Sequence, residues 1–465
     1  MADIANPSPE GLIDDAAPIL ADPRPDALRS DDPPVSDAYR RYALWLLLLI
    51  YVVNFLDRQV INILAEPIKN DLRLADWQLG LLSGFAFGIV YTLLGFPLAR
   101  AADRHNRPVI IASCLAAWSV FTGVCGLAQT FVQLVAARAG VGIGEAGCTP
   151  TSHALIADYS PKEKRASALA FYSMGTPIGS LLGLAIGGAM SDWLGWRKAF
   201  LIAAVPGLIL AVVALFTLKE PRRKLAKATQ AASANLATFT ETFRYLAGKR
   251  AFWFLAFGAG VRSFLGYGHA PFLPSFFYRV HGPEITALAH QFHVGKGAFI
   301  GLALGLIGGI SGTLGSWVGG QIADRWGARD LRVYGSVPAI AVVCGAPLAL
   351  LIYTTDSAAL ALCLTSVTAF LGTLWYGPVY ASAQGMVPQR MRAMSASIML
   401  FVINFLGLVM GALSIGALSD ILNKGLGLGP AEGVRWALIL STAGGTISAL
   451  LFWLARKNVR EEMVS

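Results

Sequence analysis

An all-α protein that crosses a membrane twelve times is what this sequence predicts, and three observations predict it. Of the 465 residues, 55% are hydrophobic and 14% charged, far below the roughly one quarter charged that soluble domains carry; the mean hydropathy is +0.57. Apolar runs of about 20 residues, enough to cross a hydrocarbon core about 30 Å thick, recur between short charged loops. The third observation is a repeat: "ARAADRHNR" at 99–107 and "GQIADRWGAR" at 320–329 both set Ala-Asp-Arg directly after an apolar run, with Asp103 and Asp324 221 residues apart.

Taken in order, residues 1–38 carry nine acidic side chains among prolines ("NPSPE", "ADPRPD", "DDPPVSD"). Such a tail has too little apolar surface to order itself and is expected to be disordered. It lacks the basic-apolar-small pattern of a cleaved leader. Hydropathy then predicts helices over 42–64, 77–99, 108–128, 131–157, 166–190 and 198–218, a first six-helix bundle within 39–218. The longest connection, 219–250, is a basic linker, part of which suits an amphipathic surface helix. A second set follows at 251–277, 298–322, 333–354, 358–386, 394–419 and 434–455, a bundle within 251–456, and 457–465 is a tail.

Lys and Arg decide the orientation, because they accumulate on the cytoplasmic side. The side that holds both termini and the linker has 24 of them; the other has eight, Lys69, Arg73, Arg197, Lys198, Arg279, Lys296, Lys424 and Arg435. Both termini are therefore expected in the cytoplasm, and the alanine-rich composition suits a bacterial inner membrane. The net charge of +9 follows from this bias and asks for no nucleic-acid partner. The five cysteines lie singly within apolar segments, which suggests packing rather than a metal site or a disulfide framework.

Further echoes support the repeat. "PKEKRASA" after the fourth span matches "PQRMRAMSA" after the tenth, and "MSDWL" closing the fifth matches "LSDIL" closing the eleventh. Similar loops in similar registers predict two homologous halves related by rotation about the membrane normal.

These residues carry a resemblance. "GGQIADRWGAR" resembles the loop signature between the second and third helices of the major facilitator superfamily, here in the second half; the first-half copy has Ala99 and Asn106 where glycines are usual. In that superfamily the cluster latches the cytoplasmic face shut, a role the resemblance implies for Asp103, Arg104, Arg107, Asp324 and Arg325. "LVAARAGVGIGEAG" in span four is similar to the fourth-helix signature of proton-linked exporters, with Val141 and Glu145 as departures. Span five, "GTPIGSLLG", lacks the exporters' Gly-Pro step. "NFLDR" in span one, "RAGVGIGEA" in span four and "RMRAMSAS" opening span eleven together look most like the spinster branch, whose animal members move sphingosine phosphates and lysophospholipids.

Five ions lie within the spans: Asp57, Arg58, Arg138, Glu145 and Arg262. Each costs about 2.5–3.5 kcal/mol at mid-helix facing lipid, so a cavity or a partner is expected for each. At 1.5 Å per residue Asp57 lies about 24 Å beyond Arg41, and Arg138 about 10 Å inside the outer edge, at similar depth. Glu145 shares a helix face with Arg138 two turns deeper. An acid that loses its cationic partner in an apolar cavity takes up a proton. Asp57 and Glu145 are accordingly the expected proton carriers, and Arg138 alternates between pairing with them and binding an anionic head group. A static network that merely holds spans one and four together is the alternative. Arg58, about 100° around the helix from Asp57, is a lesser candidate for substrate contact and suits the helix seam.

Span seven, "GAGVRSFLGYGHAPFLPSFFY", is expected to be broken at Gly266, Gly268, Pro271 and Pro274. It sets Arg262 near the midplane to meet an acidic head group, with Tyr267 and His269 as polar edges. Phe264, Phe272, Phe276, Phe277, Trp375 and Tyr376 suit either an apolar path for a lipid tail or lipid-facing packing. His281, His290 and His293 share an outer loop without a recognised zinc spacing, so a weak surface metal site stays open. There is no phosphate-binding G-x-x-x-x-G-K-[ST] motif, and "GVGIGE" has no strand before it. No nucleophile with a base and orienter is visible, which argues against an enzyme. The expected function is that of a monomeric secondary transporter working by alternating access in a lipid bilayer. No cofactor is expected beyond protons as coupling ion. An amphipathic, anionic, lipid-like substrate such as a sphingolipid or lysolipid leads; an unrelated organic anion or drug is the alternative within transport, and a substrate-sensing receptor the alternative outside it.

Overall fold

The computed structural model describes residues 35–161, 164–221, 238–327 and 329–464, apart from the side chains of Phe96, Ala99, Arg100, Asp103, Arg104 and Ala166. The first 34 residues of the expected tail and linker residues 222–237 lie outside this description. Everything regular in it is helical. Span one is Asp37–Leu72, begun by Ser36, whose hydroxyl accepts from the Tyr39 N–H, and stopped by Arg73 in the left-handed region at φ 52°. Span two comprises Asp76–Gly80, a π turn at Leu81–Phe85 and Ala86–Arg104. Spans three, six, seven, nine and twelve are Arg107–Leu127, Trp196–Thr217, Arg250–Arg279, Val333–Thr354 and Pro430–Glu462. The others are interrupted: four at Gly147, between Phe131–Ala146 and Cys148–Tyr159; five between Arg165–Ser173 and Gly175–Leu194; ten between Ala358–Thr373 and Tyr376–Gly385. Span eight has a π turn at Ile307–Ser311 between Lys296–Leu306 and Gly312–Gly327, and span eleven runs from Arg392 through two π turns to Gly425.

Ten of these helices are long and apolar enough to cross a membrane. The fourth is not among them because Gln133, Arg138 and Glu145 dilute its apolar run, and the seventh because Arg262, Ser263, His269 and Ser275 dilute its own. Span seven differs from expectation: it is a continuous helix through Pro271 and Pro274. Proline removes one N–H and tilts a turn, but here the helix is held along its length by spans eleven and twelve, and Ser275 Oγ donates to the Pro271 carbonyl at 3.2 Å. Two short helices lie outside the spans: Phe239–Ala247, where an amphipathic linker helix was expected, and Gly282–Gln291 in the outer His-bearing loop.

Without water to squeeze apolar faces together, membrane helices associate through close packing at small residues. Gly175, Gly179, Gly183 and Gly187 recur every four residues on span five and face span one. A Cβ at Gly183 would lie 2.6 Å from the Leu56 carbonyl oxygen, and one at Gly179 2.7 Å from the Phe55 Cβ. This seam fixes the stretch of span one that carries Phe55 to Gln59.

The first and last described helices begin and end, respectively, at one face, the terminal face: Tyr39 Oη donates to the Thr217 carbonyl at 2.9 Å, and the Glu462 carboxylate accepts from the Ala251 N–H at 2.9 Å. The halves meet at the opposite face. There span two packs on span eleven, span five on span eight, and Arg279 of span seven reaches Glu66 and Asp76 of the first half, each at 2.8 Å. Among the described residues no ion pair joins the two six-helix sets at the terminal face. Gly183→Val should wedge span one away from span five. Overpacking of this kind costs typically 1–3 kcal/mol, so a lowered melting temperature in detergent is expected, while the substitution Gly248→Val at an open surface position should leave melting unchanged.

Candidate functional site

A cavity of about 460 Å³ lies between the two halves. The first half contributes Phe55, Gln59, Thr176 and Ser180; the second contributes residues of spans seven, eight, nine, ten and twelve. Its walls are mostly apolar or small, with Arg262 as a charge on them. Gly372 makes room for that guanidinium, since a Cβ there would overlap Arg262 Nη2. Among the described residues no hydrogen bond or ion pair engages the Arg262 side chain.

Tyr267 and His269 share this wall. His269 is held on both sides: Nε2 is 2.9 Å from Ser441 Oγ and Nδ1 3.1 Å from Tyr353 Oη. Both partners are hydroxyls, able to donate or accept, so the ring is fixed in place whichever nitrogen carries the proton. Trp375 and Tyr376, stacked with centroids 4.2 Å apart, close the same side.

The first-half ions lie behind the cavity wall rather than on it. Phe55 and Gln59, one helical turn apart, face the cavity; Asp57, between them, points to the other side of span one. Asp57 is 1% exposed and accepts from Thr122 Oγ1 at 3.2 Å, and its Oδ1 has no hydrogen-bond partner. Span four buries its ions because its glycines press against neighbours: a Cβ at Gly144 would meet the Trp118 backbone nitrogen at 2.5 Å, one at Gly142 the Phe87 carbonyl at 2.7 Å.

The pairing differs from expectation. Glu145, fully buried, takes Arg58 Nε at 2.5 Å, and Arg58 lies over the rings of Phe55, Phe87 and Tyr91. Arg58, the lesser candidate, is thus the ion-pair partner. Arg138 is 1% exposed, faces the Phe87 ring at 5.4 Å, and leaves Nε and Nη1 without hydrogen bonds. Neither Arg138 nor Glu145 lines the cavity in this conformation, contrary to their expected contact with substrate. The reason is geometric: a shared helix face put Arg138 and Glu145 together, but span four turns that face to spans one, two and three.

Of the expected latch residues, Arg107 is fully buried, pairing with Asp158 of its own half at 2.8 Å and with Glu220 at the start of the linker at 2.6 Å. Asp324 and Arg325 are exposed; the side chains of Asp103 and Arg104 lie outside the description. Sequence reasoning passed over Gln59, Thr176, Ser180 and Tyr353. The polar residues Thr and Ser in apolar spans were the available signal, too common to single these out alone.

Two six-helix halves around one midplane cavity, pinched at one face, define a membrane transporter scaffold of the alternating-access kind. The family model described as Major Facilitator Superfamily matches residues 47–412, and the chain belongs to that superfamily, whose members are secondary transporters. It is 31% identical over 423 residues to an MFS-type efflux pump of Mycolicibacterium smegmatis, covering 91% of this chain and 94% of that protein. A solved bacterial homologue of the human lysosomal transporter Spinster, inward-facing and unoccupied, is 30% identical with a TM-score of 0.81, covering 93% of this chain and all of that one. Protein spinster homolog 3 of Danio rerio is 25% identical over 462 residues, 95% of this chain and 90% of that protein. The sequence-based expectation of a spinster-like member of this superfamily is met.

Breaking one partner of a buried pair costs about 3–5 kcal/mol because the other charge is left uncompensated. Arg58→Gln is therefore expected to lower the melting temperature more than Arg58→Gln together with Glu145→Gln. A double-mutant cycle of melting curves checks it.

Proposed function

We propose that this protein is a proton-coupled transporter of an amphipathic anion with a lipid-like tail, residing in the cell membrane with both termini in the cytoplasm. The observation that carries the substrate reading is Arg262, a cation without a protein counter-charge among the described residues, on the wall of a mostly apolar cavity. A head group bearing phosphate or carboxylate supplies what that guanidinium lacks, and the aromatic and aliphatic wall suits an acyl chain. The 24-to-8 distribution of Lys and Arg between the two faces supports the orientation, under which the pinched face is the outer one and the conformation is inward-facing.

Proton coupling rests on Asp57 and Glu145, each with one buried carboxylate oxygen that lacks a donor. A proton there satisfies the oxygen and cancels a charge in an apolar surrounding. Arg138 lies within electrostatic reach of both acids, and Arg58 within reach of Tyr267 on the cavity wall. In the cycle we envisage, protonation of Glu145 frees Arg58 to turn toward the cavity and meet the head group, and departure of the substrate returns the pair to its present form. Asp103, Arg104, Arg107, Asp324 and Arg325 then close the cytoplasmic side when the outer side opens; their positions at helix ends on that face favour this, though Arg107 is engaged by Asp158 and Glu220 here.

The test uses the full chain in proteoliposomes. A single-chain lysophospholipid with a phosphate head should be taken up when a pH gradient is imposed, and Asp57→Asn or Glu145→Gln should abolish the gradient's effect. Arg262→Gln should weaken uptake about 10- to 100-fold, the value of one charge-assisted hydrogen bond of about 1.5–3 kcal/mol, and a zwitterionic analogue should lose less. Transport of a small organic anion with no transport of the lipid would decide for the runner-up. Undiminished coupling in both acid variants would remove the proton assignment.

A further inference from the structure

"MSDWL" and "LSDIL", the echo that closes spans five and eleven, have no part in the cavity. In the structure each of their aspartates reaches into the other half. Asp192 accepts from the backbone N–H groups of Gly297, at 3.0 Å, and Ala298, at 2.8 Å, in the first turn of span eight. Asp420 accepts from the backbone N–H of Trp77, at 2.8 Å, in the first turn of span two. Trp77 and Ala298 are 221 residues apart, the same spacing as Asp103 and Asp324, so the repeat exchanges donors and acceptors alike.

An ordinary helix cap comes from the residue just before the helix; these come from the opposite half, 106 and 343 residues away. Each sits beside a contact between glycine and backbone that brings the same two spans together. A Cβ at Gly188 would overlap the Gly297 carbonyl, and one at Gly416 that of Asp76. Between the two caps, Asp76 accepts from Arg279 Nη1 and Nη2 at 2.9 and 2.8 Å and from Ser419 Oγ at 2.7 Å.

We propose that Asp192 and Asp420 form a symmetric double latch, each carboxylate capping the first turn of a helix in the other half, and that releasing both is the step that opens this face. A carboxylate at a helix N-terminus gains from the exposed N–H groups and from the helix dipole. It is also a contact made only while the faces touch, and both terms vanish when the halves part. Two weak contacts at the ends of two symmetric helix pairs, two N–H groups on Asp192 and one on Asp420, hold the face from both sides, and neither blocks opening alone. The Arg279 cluster sits between them as the less easily broken centre.

Double electron–electron resonance on the full chain in nanodiscs tests this, in a background with the five cysteines replaced. Spin labels at Gln129 and Asp356, exposed loops of the two halves on this face, report its opening; labels at Ser167 and Gln389, exposed at the terminal face, report the reverse. Asp192→Ala with Asp420→Ala should raise the long-distance population between Gln129 and Asp356 about tenfold and lower it between Ser167 and Gln389. The single variants should each give a smaller shift, the larger of the two from Asp192→Ala. Asp192→Asn with Asp420→Asn keeps the shape and is the variant to read should the alanine pair fail to purify; it should shift in the same direction. Unchanged distributions in a folded double variant, or a full shift from one single variant with none from the other, would overturn the double latch.

Discussion

A charge in a hydrocarbon slab must find a partner or water, and the architecture of this protein can be read as the consequence. Asp57, Arg138, Glu145 and Arg58 are withdrawn between spans one to four, where glycine-mediated contact excludes lipid. Arg262 takes the other solution and faces a cavity. Interactions between buried ions are strong, but the cost of removing the ions from water can exceed them. A first half with four ions in its core is therefore less stable than an apolar bundle of the same packing, and that cost has to be repaid by function or by fixed geometry. Thr122 on Asp57 and the three rings around Arg58 give that geometry.

The second organising element is the contrast between the faces. At the opposite face, backbones touch at Gly80, Gly188, Gly301 and Gly416, and charged side chains bridge the halves. At the terminal face the described ion pairs stay within a half, as with Arg107 to Asp158 and Arg460 to Asp330, or tie the linker to one half, as with Glu220 to Arg107 and Glu241 to Arg390. Packed interfaces of this kind are bistable rather than continuously deformable. The same two surfaces that close one face must separate for the other to close, which is the physical content of alternating access.

Much of this was legible in the residue order. The hydropathy runs marked the helices, and the Asp103 and Asp324 loops marked the duplication, because both depend on local pattern. Arg262 was set near the midplane by depth, with Tyr267 and His269 as its polar neighbours, and a continuous or a broken span seven puts all three at nearly the same level. The proline argument failed because neighbouring helices, invisible in one segment, hold that turn in place. The pairing of the first-half ions failed for a related reason. Depth and helical phase fix where Arg138 and Glu145 sit on span four, but which neighbour that face meets depends on the rotation of spans one, two and three. The register of Gly175, Gly179, Gly183 and Gly187 carried that information, as a stripe of small residues along the seam with span one.

The position of Arg58 joins the two sets of ions. It follows Asp57 in sequence, pairs with Glu145 of span four, and stands within electrostatic reach of Tyr267 on the far wall of the cavity. Its three aromatic neighbours hold the guanidinium by their faces, an attraction that tolerates sliding far better than a hydrogen-bonded fork does. Tyr91 both faces the guanidinium and hydrogen-bonds it, whereas the one ion pair comes from a single carboxylate, Glu145. In the cycle proposed above, neutralising that one acid removes the ion pair of Arg58, which a network of several carboxylates would not do. Under the proposed coupling, this sparse pairing in the first half is what lets a single proton act on a site that lines the second.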